Sequence, residues 1–142
     1  MAPEQETDRT LTGEEREFLA GHTWAILATG RSDGSPQQSM IGYRLDEHDR
    51  LVISAKAHTA KWRNALRQPQ VCVAVPDGRA CLVVYGRAET IAEDPERAEL
   101  TADVFAALSG AARPDPAAIV AMLDEQQRTV IRITPERVFL HA

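Results

Sequence analysis

Short apolar blocks alternate with turn-forming residues along the middle of the chain. Residues 24–29 form one apolar run, and Arg31-Ser32-Asp33-Gly34 follows as a turn in which Gly34 can take a positive φ. Residues 36–45 read as a second, less apolar strand. Glu47-His48-Asp49 is another turn, and residues 51–55 are a third strand. Residues 71–75 and 81–91 flank Asp77-Gly78 and predict a hairpin. Residues 129–134 alternate Val and Ile with polar positions, which predicts a last half-buried strand ending before Pro135. Short strands joined by tight turns favour an antiparallel sheet or barrel over βαβ units.

Helical spacing occurs in four places. Thr12 and Glu15 form a capping box, Leu11, Phe18 and Leu19 supply an apolar side, and Gly21 offers a left-handed stop. Thr59 is placed to cap a helix over 60–67 that Pro69 ends. Asp94-Pro95 supplies a cap and a first-turn proline ahead of Leu100, Val104 and Leu108, and Gly110 closes that helix. Asp115-Pro116 repeats the start, with Ile119, Met122 and Leu123 on one face. Residues 1–10 read as a polar, disordered tail, not a secretory signal, and 11–142 as one domain.

Composition narrows the function classes. The chain has 142 residues, 44% hydrophobic and 26% charged, enough for one core without staples. Its net charge of -5 is a poor footprint for nucleic acid or an anionic membrane. No apolar run approaches the roughly 18 residues of a membrane span. An anionic ligand would therefore need a local basic patch. Pairing Val75 with Ala80 across the hairpin sets Cys72 against Val83 and leaves Cys81 diagonal, so no disulfide is expected. Both cysteines read as buried small residues, and Trp24 and Trp62 as packing residues. No histidine spacing suggests a metal, and a cytoplasmic location with reduced thiols is the default.

The segment from Ser54 to Asn64 carries the chemistry. It leaves a strand and opens a helix, where unpaired amides and the helix dipole favour an anion. Ser54, Lys56, Thr59 and Lys61 add hydroxyls and ammonium groups. An ordinary solvated helix start fits the same residues. The Walker glycines are absent. In the second strand, Gln37, Ser39, Ile41 and Tyr43 share one face, and Gln38, Met40, Gly42 and Arg44 the other. Tyr85, Arg87 and Glu89 share a face of a later strand, and His58 lies beside the polar junction.

Four stretches together resemble a known superfamily. They are Ala25-Ile26-Leu27-Ala28-Thr29 with Arg31-Ser32-Asp33-Gly34-Ser35-Pro36; Leu51-Val52-Ile53-Ser54 followed by Lys61-Trp62-Arg63-Asn64-Ala65-Leu66-Arg67-Gln68-Pro69-Gln70-Val71; Val84-Tyr85-Gly86-Arg87-Ala88-Glu89; and Ile133-Thr134-Pro135-Glu136-Arg137-Val138. In this order they resemble the flavin-binding split β-barrel superfamily. It includes pyridoxamine 5′-phosphate oxidase and the deazaflavin (coenzyme F-420)-dependent reductases of actinobacteria. The resemblance implies a mainly β fold with peripheral helices, a six-stranded antiparallel split barrel. It also implies a homodimer with the cofactor in a groove between subunits.

Carried over, Ser54 and Lys61 would bind the cofactor phosphate, with Ala55, Lys56, Thr59 and Ala60 completing the junction. Asn64 would orient the helix start or touch the cofactor. Gln38, Ser39 and Met40 would form the wall near the ring system. Thr59 stands where many relatives carry an arginine, and Lys56 and His58 are the neighbours able to offset the missing charge. No catalytic side chain is singled out, which suits an enzyme whose cofactor carries the chemistry. The implied activity is hydride transfer between coenzyme F-420 and a small organic acceptor. The alternatives are an FMN-dependent oxidase-like enzyme and a non-catalytic flavin- or haem-binding protein.

Overall fold

A computed structural model describes residues 11–141. The elements run α1 (Gly13–Ala20), β1 (Trp24–Gly30), β2 (Pro36–Gly42), β3 (Arg44–Leu45), β4 (Leu51–Lys56), α2 (Ala60–Arg67), β5 (Gln70–Asp77), β6 (Ala80–Ile91), α3 (Glu96–Ser109), α4 (Pro116–Gln126) and β7 (Arg128–His141). The tail expected over 1–10 lies outside the described residues. All seven strands form one sheet in the order β2-β1-β5-β6-β7-β4-β3, with every recorded pairing antiparallel. The two edge strands, β2 and β3, are consecutive in the chain. The sheet must therefore curl until its edges meet at Tyr43, which is the split-barrel architecture.

There are seven strands and not six because the expected strand over 36–45 divides at Tyr43. The Tyr43 amide donates to the Thr23 carbonyl at 2.8 Å, in register with the β1–β2 ladder, and from Arg44 the chain pairs with β4 instead. Its fully buried phenol donates to the Leu19 carbonyl at 2.6 Å, and burial pushes the phenol pKa up. The aromatic ring thus pins α1 to the corner where the sheet turns.

Alternation builds the core. Leu27, Val73, Val75, Leu82, Val84, Leu51, Ile53, Ile131 and Ile133 point to one face and pack with Leu19 of α1 and with Trp62 and Ala65 of α2. A smaller cluster of Val52, Ile91, Val104 and Val130, with Leu100 and Leu108 against it, seats α3 on the other face. The every-fourth-residue pattern of α3 is what reaches that cluster.

Several local expectations hold. Thr12 and Glu15 form both bonds of the capping box, Asp115 caps α4 ahead of Pro116, and Gly110 ends α3 at φ 72°. Others are corrected. Gly21 closes α1 at φ -83°, outside the left-handed region. Pro95 takes the cap position of α3, one residue later than expected. Asp94 still serves the helix, accepting from the Ala98 amide at 3.1 Å. The hairpin pairs Asp77 with Ala80, so Cys72 faces Tyr85 and Pro76 faces Cys81. The two cysteines are free and half-buried on the outer face, not in the core. Trp62 is core, but Trp24 is 57% exposed.

The last strand passes through Pro135 to His141. Tyr85 pairs with Arg137 and Gly86 with Pro135, so Glu136 is an extra residue in β7. A bulge is where a strand tolerates a residue without an amide hydrogen. That is why Pro135 does not stop the strand.

Candidate functional site

The strand-to-helix junction sits beside the start of β7. Lys56 is the last residue of β4 and pairs with Arg128, the first of β7. Ser54, Lys56 and Arg128 lie on the half-buried face that alternates with the core positions Ile53 and Ala55. Two hydrogen bonds to main-chain carbonyls hold this corner: the Ala57 amide donates to the Gln127 carbonyl at 2.7 Å, and Arg97 Nη1 donates to the Arg128 carbonyl at 3.1 Å. His58 Nδ1 contacts Gln127 Oε1 at 3.0 Å. Gln127 reaches φ 56° and ends α4 there.

Lys61 enters from the first turn of α2. Burial lowers its pKa first, and the charges of Arg128 and Lys56 lower it further. The three cations therefore share one field. No described carboxylate lies within ion-pair distance of any of them, whereas Arg16, Arg44, Arg50, Arg97, Arg113 and Arg132 each have one. The acidic excess of the chain has been placed elsewhere.

Thr59 stands at the N-cap of α2 as expected, but its side chain makes no capping bond. Its hydroxyl donates back to the Lys56 carbonyl at 2.7 Å, and no side chain caps the helix. The cap position is as expected without its side-chain bond, and the hydroxyl's one hydrogen is already given to Lys56, not to a ligand. It also leaves the first amides of α2 without a side-chain acceptor. An uncapped helix start, a serine hydroxyl and unpaired cations form a donor set suited to an oxyanion such as phosphate.

The other candidates divide. Ala55 is 2% exposed and faces the core, so only its backbone is near the junction. Ala60 is half-buried at the first position of α2. Asn64 is 5% exposed, and its amide donates to Thr29 Oγ1 at 3.1 Å, while its carbonyl oxygen accepts from Arg67. Thr29 donates in turn to Gln37 Oε1, and Gln37 Nε2 donates to Ser39 Oγ. Asn64 thus joins α2 to β1 and, through Thr29, to β2. In β2, Ser39 is half-buried, while Gln38 and Met40 are exposed on the opposite face. β2 is an edge strand, so half of its main-chain groups face away from β1. Among the described residues, no hydrogen bond joins the Gln38, Ser39 or Met40 side chains directly to Lys56, Lys61 or Arg128.

Sequence reasoning missed Arg128. It was read only as the residue before a strand, and nothing in its neighbourhood marks it. The pairing of β4 with β7 across 74 positions is what delivers it to Ser54.

The outer face of the sheet exposes Trp24, Met40, Tyr85 and Phe139. Tyr85 and Phe139 meet edge to face at 6.1 Å, with the Arg137 guanidinium over both rings. Glu89, on the same strand as Arg87, pairs with Arg132 across the ladder and not with Arg87. An open hollow of about 300 Å³ lies between Thr29, Pro36, Val71, Cys72 and Tyr85.

The chain belongs to the pyridoxamine 5′-phosphate oxidase family, whose model matches residues 11–142. That is a flavin-binding family. Solved structures agree on the fold. A conserved hypothetical protein of Mycobacterium tuberculosis superposes with a TM-score of 0.75 at 23% identity, over 94% of this chain and 86% of that one. An F-420 reductase superposes with a TM-score of 0.69 at 25% identity, over 92% and 98%. General stress protein 26 of Bacillus anthracis gives a TM-score of 0.63 at 16% identity, over 88% of each chain. Among the described residues, no helix is long and apolar enough to cross a membrane, and no group of metal-ligating side chains converges.

Proposed function

We propose that this chain is an oxidoreductase that passes a hydride between coenzyme F-420 and a small organic acceptor. The observation that carries the reading is the carboxylate-free cation cluster at the β4–α2 junction, in a chain that belongs to a flavin-binding family. Likeness to an F-420 reductase over nearly its whole length supports the deazaflavin. The bound cofactor would supply the hydride chemistry itself. The chain's own residues would bind and orient it. Ser54 and Lys61 would hold the phosphate, with Lys56 and the amides at Ala60 beside them. Asn64 would fix the angle of α2 against β1, and the free edge of β2 around Gln38, Ser39 and Met40 would offer main-chain donors to the ring.

The deciding experiment is a titration of the purified protein with F-420 and with FMN, followed by fluorescence. F-420 is expected to bind at micromolar concentration or better, and tighter than FMN. The reverse order would make the chain an FMN enzyme, and failure of both would end the reductase reading. Binding of either without reduction of any acceptor would indicate a carrier. Lys61→Ala is expected to weaken F-420 binding by at least about 1 kcal/mol, the scale of a hydrogen bond to a charged group. An unchanged dissociation constant would remove Lys61 from the site.

The site is proposed to be completed by a second copy of the chain. The exposed row of Trp24, Met40, Tyr85 and Phe139 on one sheet face is the surface offered for pairing. Sedimentation should give twice the mass of one chain, and Tyr85→Glu should shift the protein to monomer, because it puts a charge in the middle of that face. A monomeric parent protein would refute the pairing.

A further inference from the structure

We infer that Arg128 is the guanidinium of the phosphate site, supplied from β7 and not from the helix start. The inference rests on the reading of the β4–α2 junction as a phosphate site. Its first support is what Arg128 touches. Nε donates to Gln126 Oε1 at 2.7 Å, and Nη1 reaches Ser54 Oγ at 3.3 Å. Ser54 is the residue whose hydroxyl the junction offers to a ligand. No described residue accepts from Nη2, so the outer edge of the fork is available.

Its second support is the company Arg128 keeps. Six arginines of this chain pair with a carboxylate, and several exposed ones do not, but Arg128 is half-buried and still has none. Arg128 instead lies opposite Lys56 and near enough to Lys61 to depress its pKa. Like charges held together are repulsive, and a fold with free acidic residues could have relieved them. An oxyanion between them reverses the sign of every one of these interactions.

Its third support is the way the residue is held. The guanidinium lies 5.8 Å from the centre of the Phe105 ring. The backbone at Arg128 is clamped by the buried Arg97, itself paired with Asp94 and Asp124. A fork held from below by a ring, from one side by Gln126 and from behind by its backbone is ordered before a ligand arrives. Thr59, its hydroxyl turned to Lys56, contributes neither charge nor hydrogen. Arg128 supplies both from the neighbouring strand, in the planar geometry that matches two phosphate oxygens.

The test uses three probes on the full chain: inorganic phosphate, FMN, and riboflavin, which lacks the phosphate. Arg128→Gln is expected to weaken inorganic phosphate and FMN binding at least tenfold and to leave riboflavin binding within twofold. Arg128→Lys should lie between, since it keeps the charge and loses the fork. Arg87→Gln, an exposed cation elsewhere on the barrel, should leave all three unchanged. Equal losses for FMN and riboflavin would show that Arg128 merely supports the fold and would overturn the inference. So would phosphate binding that Arg128→Gln does not alter, or a parent protein that binds no phosphate. Phosphate held through Arg128 by a protein that binds neither FMN nor F-420 would leave the inference standing and refute the reductase reading.

Discussion

Gly86→Ala is expected to destabilise the protein by about 3 kcal/mol, a large effect for a single added methyl group. A Cβ at Gly86 would stand 2.7 Å from the Thr134 carbonyl oxygen and 2.7 Å from Ile133 Cγ2. The first of these is backbone and cannot rotate away. The strand would have to separate from β7 at the point where the Glu136 bulge already interrupts the ladder. Both strands are central, and β6 and β7 share the longest pairing in the sheet, so the shift cannot be absorbed at an edge. Urea unfolding followed by circular dichroism measures the loss as a lower midpoint. Gly13→Ala is the matched control. A Cβ there meets nothing within 4 Å, and alanine is a better helix former, so stability should rise by about 0.5–1 kcal/mol. Equal midpoints for Gly86→Ala and the parent would show that the close approach is not needed.

The same bulge shows where sequence reading loses its grip. Apolar runs between turn residues located β1, β4, β5 and β6, and alternation located the first half of β7, because burial selects apolar residues locally. Pro135 looked like a stop because local chemistry forbids it a ladder hydrogen bond. Only the pairing with Gly86 shows that the strand does not need one at that position. Tyr43 gave no sign of a break for a similar reason. The chain leaves β1 there to pair with β4, and the Tyr43 phenol is held by the Leu19 carbonyl, and both partners are distant in sequence.

The candidate site divides along the same line. Ser54, Lys56 and Lys61 lie within eight residues, and a strand ending in a helix start is a local pattern. Arg128 shares no local pattern with them and reaches them only because β7 returns beside β4. Thr59 was misread in the opposite direction. It does stand at the cap position, but its hydroxyl is turned back to donate to the Lys56 carbonyl and accepts from no helix amide. Trp24 fails as a core residue because the period that buries Ala25 and Leu27 turns it outward.

Trp62→Ala should show how closely the core and the site depend on each other. Trp62 is 9% exposed and is the largest side chain that α2 sends into the main core cluster. Truncating a buried tryptophan costs about 3–5 kcal/mol, from lost burial and the cavity left behind. α2's other anchors are weaker: Ala65 is small, Asn64 holds β1 through one bond to Thr29, and the exposed Arg67 adds one to the Gly30 carbonyl. Lys61 precedes Trp62 in the chain and Arg63 follows it, so the helix start follows wherever the indole goes. The expected result is a fall in the unfolding midpoint together with weakened binding of both F-420 and inorganic phosphate at temperatures where the protein is still folded. Lys61→Ala, in contrast, should weaken binding and leave the midpoint nearly unchanged or raised, because it removes a half-buried charge from a repulsive group. A Trp62→Ala protein that unfolds earlier but binds phosphate like its parent would mean that the junction keeps its shape without α2's anchor. The bonds from the Ala57 amide to the Gln127 carbonyl and from the Arg97 guanidinium to the Arg128 carbonyl would then be what holds the site together.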